Sequence, residues 1–272
     1  MVTRSDYASD EVDICLSVMV ELLTVIGELR DHVVLVGGWV PYFLIEEKQK
    51  EHTGSIDIDL AFDFNHISKA SYKTILSLLE ERGYHQGEQP FIFHRTVKTE
   101  EGREYTVQVD FIAGEYGGTG RSRRTQSVQD VRARKARGCD LVFENNFPVI
   151  IQKRMPDGAM NEVSIKVADV VPFLVMKGMA LDDRYKEKDA YDIYFTVFNY
   201  PGGITGLAEE FEQLRKNKLV VEGLKKIKLK FKEIDSPGPV WVVNFLEIDD
   251  QEERERIQRD AFERMNRFLD SI

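Results

Sequence analysis

The most constraining feature of this 272-residue chain is a pair of short segments near its N-terminus. The apolar run 32–36 (HVVLV) is followed directly by Gly37 and Gly38, and the segment 56–64 (IDIDLAFDF) alternates apolar and acidic residues. A short apolar run that ends in glycine is typical of a buried strand and a tight turn. The alternation predicts a second strand with one buried and one polar face. The two segments therefore predict a β-sheet that carries acidic side chains on one face.

The acidic face of that sheet predicts a metal site. Asp57 and Asp59 are two positions apart in one strand, so their carboxylates project from the same face, with Cα atoms roughly 6.5–7 Å apart. Carboxylates this close repel one another, and a cation between them relieves the repulsion. Asp110 adds a third carboxylate from a second alternating segment, 107–114 (VQVDFIAG). Mg²⁺ prefers such oxygen ligands, so we predict a Mg²⁺ site here rather than a solvent-facing strand with incidental acids.

The glycine pair predicts an anion site. A turn that leads from a strand into a helix presents free backbone N–H groups and the positive end of the helix dipole to a ligand. Glycine also lets a phosphate approach the backbone closely. A lone Gly-Gly is most often only a turn, but Gly37-Gly38 upstream of the aspartates predicts phosphate binding.

Composition excludes several other classes of protein. The net charge of −10 argues against a general polyanion binder, except at the basic stretch 121–138, which is either a solvated surface or a local anchor for a nucleic acid or a triphosphate. Its candidate contacts with a nucleic acid such as RNA are Arg121, Arg123, Arg124, Arg132 and Arg134. Two distant cysteines and five scattered histidines do not form a disulfide or zinc motif, and no P-loop, GxSxG or GxGxxG motif is present.

The organisation along the chain predicts two parts. Alternating segments and turn signals extend to about residue 168, and the remainder is charged and has helical periodicity, apart from a loop and an apolar patch at 236–246. Within the first part, the patterns predict an amphipathic helix over 67–84, a hairpin of 91–98 with 104–114, a short strand over 140–145 and a Pro-Asp-Gly turn at 156–158. The N-terminus does not have the pattern of a signal peptide, and no apolar run is long enough for a membrane span. We therefore expect a cytoplasmic protein without membrane contact.

The order of these motifs resembles that of the nucleotidyltransferase superfamily with the DNA polymerase β-like fold. That pattern is a glycine turn, an Asp-x-Asp strand and a third carboxylate on a neighbouring strand. The segment 176–196 (MKGMALDDRYKEKDAYDIYFT) is similar to the signature of the AbiEii/AbiGii-type nucleotidyltransferase toxins. The matching positions are Lys177, Ala180, Leu181, Arg184, Lys188, Asp189 and Asp192.

The resemblance implies a fold, an activity and further site residues. The fold class would be α+β: a nucleotidyltransferase-type mixed sheet with flanking helices over residues 1–168, then a helical domain over 169–272. Lys177, Arg184 and Lys188 would contribute to nucleotide binding, and Asp189 would act as a base or orienting group. The family often has Ser or Thr after the glycines, where this chain has Trp39; Ser55 would supply the missing phosphate contact.

The implied activity is transfer of NMP from a nucleoside triphosphate (NTP) to RNA or tRNA by the toxin of a toxin–antitoxin pair, with a cognate antitoxin as a partner. Because a Gly-Gly-Trp sequence also resembles antibiotic-modifying nucleotidyltransferases, a small hydroxylated molecule is the alternative acceptor. The other alternative is a nucleotide-binding module without catalytic activity. The intact trio of aspartates favours the enzymes over that module.

Overall fold

A computed structural model describes residues 3–63, 66, 76–99, 101–115, 125–128 and 131–272. The chain divides into two compact units. The sheet unit contains Ala8–Val40 and Gly54–Asp169, and the helical unit contains Met1–Tyr7, Pro41–Thr53 and Val170–Ile272. The predicted combination of a mixed sheet and C-terminal helices is confirmed.

The sheet unit begins with helix α1 (Ser9–Ile26), and its described residues form nine strands. They are β1 (Val33–Val36), β2 (Asp57–Phe62), β3 (Tyr84–Gln86), β4 (Ile92–Lys98), β5 (Glu104–Ala113), β6 (Thr125–Val128), β7 (Val131–Lys135), β8 (Asn146–Arg154) and β9 (Met160–Ala168). Seven of them follow the order β3-β4-β5-β2-β1-β9-β8, and β7 pairs with both β5 and β6. The buried faces of β1 and β2 are apolar, as the alternation requires.

The sheet is mixed because its central strands run in both directions. β2 is antiparallel to β1 and parallel to β5, whereas β1 is parallel to β9. The predicted hairpin of β4 and β5 is confirmed, with a turn around Gly102. The antiparallel pair β8–β9 turns at Gly158, as the Pro-Asp-Gly signal indicates.

Three local predictions differ from the structure. Residues 140–145 were expected to form a strand, but a 3₁₀ helix covers Cys139–Phe143 and buries Leu141 and Val142. Part of the basic stretch forms β6 and β7, because β7 extends the sheet along the end of β5. The apolar patch 236–246 is a helix whose first residue is proline, which is favoured at that position.

The helical unit contains seven helices among the described residues. They are α2 (Val40–Leu44, whose first residue belongs to the sheet unit), α3 (Val170–Asp183), α4 (Glu187–Asn199), α5 (Gly203–Glu210), α6 (Lys218–Lys230), α7 (Pro237–Phe245) and α8 (Gln251–Ser271). One apolar cluster joins Ile45 to Tyr191, Phe195 and Phe245. Helices α3 and α6 approach so closely that a Cβ on Gly178 would lie 2.5 Å from the carbonyl oxygen of Gly223.

Two further predictions concern a helix over 67–84 and the absence of membrane-spanning segments. The amphipathic helix predicted over 67–84 is described only from residue 76, and residues 76–81 are helical. Among the helices that the structure describes, none is both long and apolar enough to cross a membrane.

Candidate active site

The three predicted aspartates lie on neighbouring strands of the sheet unit. Asp59 of β2 is directly opposite Asp110 of β5, and Asp57 is opposite Gln108. Paired residues of adjacent parallel strands project from the same face, with the strands about 4.8 Å apart. Three carboxylates are therefore brought together on one face of the sheet, as the alternation of the two segments predicts.

Neutral donors fix the orientation of two of these carboxylates. The Ser55 hydroxyl donates to Asp57 Oδ1, and Gln108 Nε2 donates to Asp110 Oδ2 at 2.9 Å. Trp39 Nε1 donates to the backbone oxygen of Asp57 at 2.9 Å. These hydrogen bonds orient Asp57 and Asp110 on the sheet.

The glycine turn packs directly against this face. Gly37 has a φ of +75°, and a Cβ built on it would lie 2.0 Å from Asp59 Oδ2. Both the backbone conformation and the missing side chain are therefore required at this position. Val36, which precedes Gly37 and is the last residue of β1, is paired with Asp59 of the antiparallel strand β2. The turn and the carboxylate occupy the same corner of the sheet unit.

The helix that follows the glycine turn is shorter than a strong dipole effect requires. Residues Gly37–Trp39 form a 3₁₀ turn, and α2 adds only five residues. A macrodipole builds up over several aligned turns, so its contribution here is small. Any anion at this turn would be bound through the backbone N–H groups and the space beside the glycines.

The donor set fits a Mg²⁺ ion that is bound together with a nucleotide. No three His, Cys, Asp or Glu side chains within the described ranges are arranged to enclose a single metal ion. Mg²⁺ needs no such enclosure, since one or two carboxylates plus substrate phosphates and water complete its shell. Asp57 and Asp59 of β2 and Asp110 of β5 supply carboxylates on one face of the sheet.

A buried thiol near the aspartates is not a candidate nucleophile. Burial raises the pKa of Cys15 well above its usual value, and the charge of Asp57 raises it further. The thiolate is the reactive form of cysteine, so Cys15 stays protonated and inert at neutral pH.

The second set of predicted residues forms a buried ion cluster in the helical unit. Lys177 Nζ of α3 donates to Asp189 Oδ1 at 2.7 Å and to Asp192 Oδ2 at 2.8 Å, both on α4. Lys188 Nζ lies 3.0 Å from both carboxylate oxygens of Asp192. Arg184 Nε and Nη2 donate to the two oxygens of Asp189 at 2.9 and 3.1 Å. Three cations therefore face two carboxylates.

His52 completes the cluster and was missed by the sequence analysis. Its Nε2 lies 3.1 Å from Asp192 Oδ1, and its ring packs against Tyr191 and Phe195. Burial lowers the pKa of His52 and outweighs the opposing effect of Asp192. The imidazole is thus neutral at physiological pH. A histidine in a polar loop gave no signal in the sequence, because its carboxylate partner is 140 residues away.

The surroundings of Asp189 favour an orienting role over that of a base. Burial alone raises the pKa of Asp189, but the charges of Lys177 and Arg184 outweigh burial, so the pKa is lowered. A general base works best when its pKa is near the operating pH. A carboxylate held by two cations is a weak base, and its hydrogen bonds instead fix the positions of Lys177 and Arg184.

The predicted RNA contacts are only partly described. Arg121, Arg123 and Arg124 lie outside the described residues, as does the side chain of Arg132. Arg134 lies on β7, opposite Ile112 of β5. Its Nε is buried and has no hydrogen-bond partner among the described residues.

Comparisons of the chain with protein-family models, with curated proteins and with solved structures found no match. The functional assignment therefore rests on the residues and their geometry. One of these, Gln108, was not predicted, although its position two residues before Asp110 places it on the same strand face.

Proposed function

We propose that this chain is a Mg²⁺-dependent nucleotidyltransferase that transfers NMP from an NTP to an RNA acceptor. The observation that carries the proposal is the pairing of Asp59 with Asp110 on adjacent strands, beside Gly37 and on the same face as Asp57. Ser55 and Gln108 orient Asp57 and Asp110, and the glycine turn packs directly against Asp59.

The NTP would bind with its phosphates along the backbone of Gly37 and Gly38. A hydroxyl oxygen of the acceptor attacks the α-phosphorus, and a new phosphodiester bond forms. The bond between the α-phosphorus and the bridging oxygen to the β-phosphate breaks, so pyrophosphate leaves. The proton of the attacking hydroxyl passes to the carboxylate of Asp110, which Gln108 holds in position.

Asp57 and Asp59 are the residues that would hold Mg²⁺. When bound, the metal supplies electrostatic stabilisation of the charge that develops on the phosphoryl oxygens. Ser55 and Trp39 position Asp57 for this role, through hydrogen bonds to its carboxylate and its backbone. Trp39 is buried, and its indole N–H donates to the backbone oxygen of Asp57. Asp57 is therefore oriented without a hydroxyl group at residue 39.

The ion cluster of the helical unit would assist nucleotide binding. The resemblance to nucleotidyltransferase toxins assigns Lys177, Arg184 and Lys188 to the phosphates. Arg184 is the member best placed to reach a ligand, since its side chain is 44% exposed whereas the two lysines are buried. Lys177 and Lys188 would then act by holding Asp189 and Asp192 in place.

The same resemblance carries the proposal that the enzyme is a toxin and has an antitoxin partner. RNA is the acceptor that this class implies, with the basic stretch 121–138 as one anchor. The experiment that tests the proposal is incubation of the protein with Mg²⁺ and each labelled NTP. Parallel reactions contain total RNA or a panel of small hydroxylated molecules.

The proposal expects covalent label in RNA with the wild-type protein, and a loss of about 10³-fold in Asp59→Asn, since several kcal/mol of charge stabilisation is removed. Label that appears only in a small acceptor would support nucleotidyl transfer but reject RNA as the acceptor. Nucleotide binding without transfer to any acceptor would reject the enzymatic proposal in favour of a binding module.

A further inference from the structure

A large aromatic side chain is exposed on the surface of the helical unit. Tyr185 lies in the linker between α3 and α4, and it is 79% exposed. Its ring meets Trp241 of α7 edge to face, with 5.7 Å between the centroids and 84° between the planes. This contact supports the ring and leaves most of the residue's surface exposed. Tyr185 is therefore a supported aromatic surface that is open to a flat ligand.

Positive charge surrounds this ring. Lys230 Nζ of α6 lies 5.4 Å from the centroid of Tyr185. Lys230 and Lys226 both contact Asp182, which offsets part of their charge. Lys186, which follows Tyr185 in the chain, is exposed and has no salt bridge with another described residue. The ligand that suits the ring is therefore aromatic and carries negative charge.

The helix that supplies Lys230 belongs to a strongly basic segment. Residues 215–232 contain eight Lys or Arg and one acidic residue, Glu222, in a chain whose net charge is −10. Four of these cations have no ion pair with any residue that the structure describes: Arg215, Lys216, Lys218 and Lys225. A basic segment of this kind on an acidic protein provides local attraction for a phosphate backbone.

The exposure of Tyr185 distinguishes between two sources of a nucleobase. Sites for free mononucleotides are concave and enclose most of the ligand. A ring that is 79% exposed encloses nothing, so it binds a base weakly unless the same ligand is held elsewhere. A single strand of RNA meets that requirement, because its phosphates contact cations while its bases stack on aromatic rings.

We propose that Tyr185, supported by Trp241, is a stacking site for a base of single-stranded RNA, and that Lys186 and the basic segment 215–232 bind the adjoining phosphates. The inference deepens the proposed function, on which it rests, by giving the RNA acceptor a binding surface within the helical unit. Neither residue 185 nor residue 241 belongs to the carboxylate site or to the ion cluster.

The test is fluorescence anisotropy with a labelled single-stranded RNA of about 12 nucleotides, which is within the site sizes of stacking proteins. It is measured without NTP or added metal, so that binding is separated from transfer. Tyr185→Ala is expected to raise Kd by about 5- to 150-fold, the equivalent of one stacked base. Tyr185→Phe keeps the ring and should bind within about twofold of the wild type.

A matched control is Phe198→Ala. Phe198 is also an exposed aromatic residue of the helical unit, but it is only 44% exposed against 79% for Tyr185, and Arg264 lies 4.2 Å from its ring centroid, closer than Lys230 lies to that of Tyr185. Its removal should leave RNA binding unchanged. Equal affinity of wild type and Tyr185→Ala would overturn the proposal. So would a loss in Tyr185→Phe as large as that in Tyr185→Ala.

A parallel titration with a free NTP shows whether Tyr185 binds the base of a mononucleotide or a base of single-stranded RNA. Tyr185→Ala is expected to bind the NTP as the wild type does, and an equal loss for NTP and RNA would overturn the assignment to RNA. The Asp59→Asn variant separates this inference from the proposed function. This variant should bind the RNA with wild-type affinity but lose nucleotide transfer. If the wild type transferred no nucleotide, a loss of RNA affinity in Tyr185→Ala would still support the stacking site.

Discussion

At the scale of single residues, Lys177 is held by two buried carboxylates rather than by solvent or a free anion. Removing one partner of a buried ion pair leaves the other charge without compensation, which is strongly destabilising. Lys177→Met is expected to lower the free energy of unfolding by about 3 kcal/mol, the low end for such changes, because Arg184 and Lys188 remain. Urea denaturation measures this directly.

The control for Lys177 is Lys225→Met on α6. Lys225 is exposed and has no salt bridge among the described residues, so its replacement should change stability by less than about 0.5 kcal/mol. If Lys177→Met were as stable as Lys225→Met, the cluster would not stabilise the helical unit. The lysine would then be available for a phosphate.

His52 makes the stability of the protein depend on pH. Its pKa is lowered in the folded state, so the unfolded state binds more protons as the pH falls below about 6.5. Stability is fully present above that pH and is lost toward lower pH. The loss is at most about 1.4 kcal/mol per pH unit for one proton.

The measurement is the urea midpoint between pH 7 and pH 5, a range above the titration of ordinary carboxylates. His52→Gln should show a shallower decline than the wild type, and the exposed His85→Gln should not. Parallel curves for the wild type and His52→Gln would show that His52 is not the group responsible.

At the scale of structural elements, the corner formed by β1, the glycine turn and β2 determines the geometry of the carboxylates. Gly37→Ala introduces two problems at once: a positive φ for a residue with a side chain, and a Cβ in the space of Asp59 Oδ2. We expect the variant to be destabilised by more than the roughly 1–2 kcal/mol of the backbone term alone. Transfer should be lost, since Asp59 must move.

Gly158→Ala separates these two effects. Gly158 also has a positive φ, of +89°, but no atom lies within 4 Å of the added Cβ. It should show the backbone cost in thermal or urea denaturation and retain transfer activity. Equal activity of Gly37→Ala and Gly158→Ala would contradict the close packing of the turn on Asp59.

Alternation predicted the strands that carry the carboxylates, because β2 and β5 each have one buried and one polar face. The register of Asp59 with Asp110 was not determined by either segment alone, since it depends on how two distant strands pair. Strand β7 was missed for the same reason: its pairing with β5 lies in the fold and not in the pattern of 131–135. The 3₁₀ helix at Cys139–Phe143 resembled a strand because a short apolar run does not distinguish the two.

At the scale of the whole molecule, the helical unit includes two segments from the N-terminal quarter of the chain. Ile45 packs in one cluster with Tyr191 and Phe245, and His52 contacts Asp192. Residues 170–272 alone would lose these contacts and expose apolar surface. We expect that fragment to be helical but to unfold without a cooperative transition, as circular dichroism and urea denaturation would show.

Joining 41–53 to the fragment through a flexible linker supplies the matched control. The added segment restores Ile45 and His52, so a cooperative transition should return. A cooperative transition in 170–272 by itself would show that these contacts are dispensable, and that the division predicted at residue 168 gives an independent domain.

The charge distribution of the whole chain was predicted only in part. The basic stretch 121–138 was recognised because its cations are concentrated in an otherwise acidic sequence. The equally basic segment 215–232 was interpreted simply as a charged helix, since its lysines alternate with buried residues such as Val220 and Ile227. Lys230 of that segment lies beside the ring of Tyr185, a contact between residues that are far apart in the chain.

The central claim is that the carboxylates of β2 and β5 form the active site for nucleotidyl transfer. The most direct test compares NTP labelled at the α-phosphate with NTP labelled at the γ-phosphate, using Mg²⁺, total RNA, the wild type, Asp59→Asn and the control Asp63→Asn. Asp63 follows the end of the same strand, outside the paired set. The account predicts that RNA acquires the α label but not the γ label, with the wild type and Asp63→Asn active and Asp59→Asn inactive. Transfer of the γ label, or α-label transfer by Asp59→Asn at the wild-type rate, would contradict it.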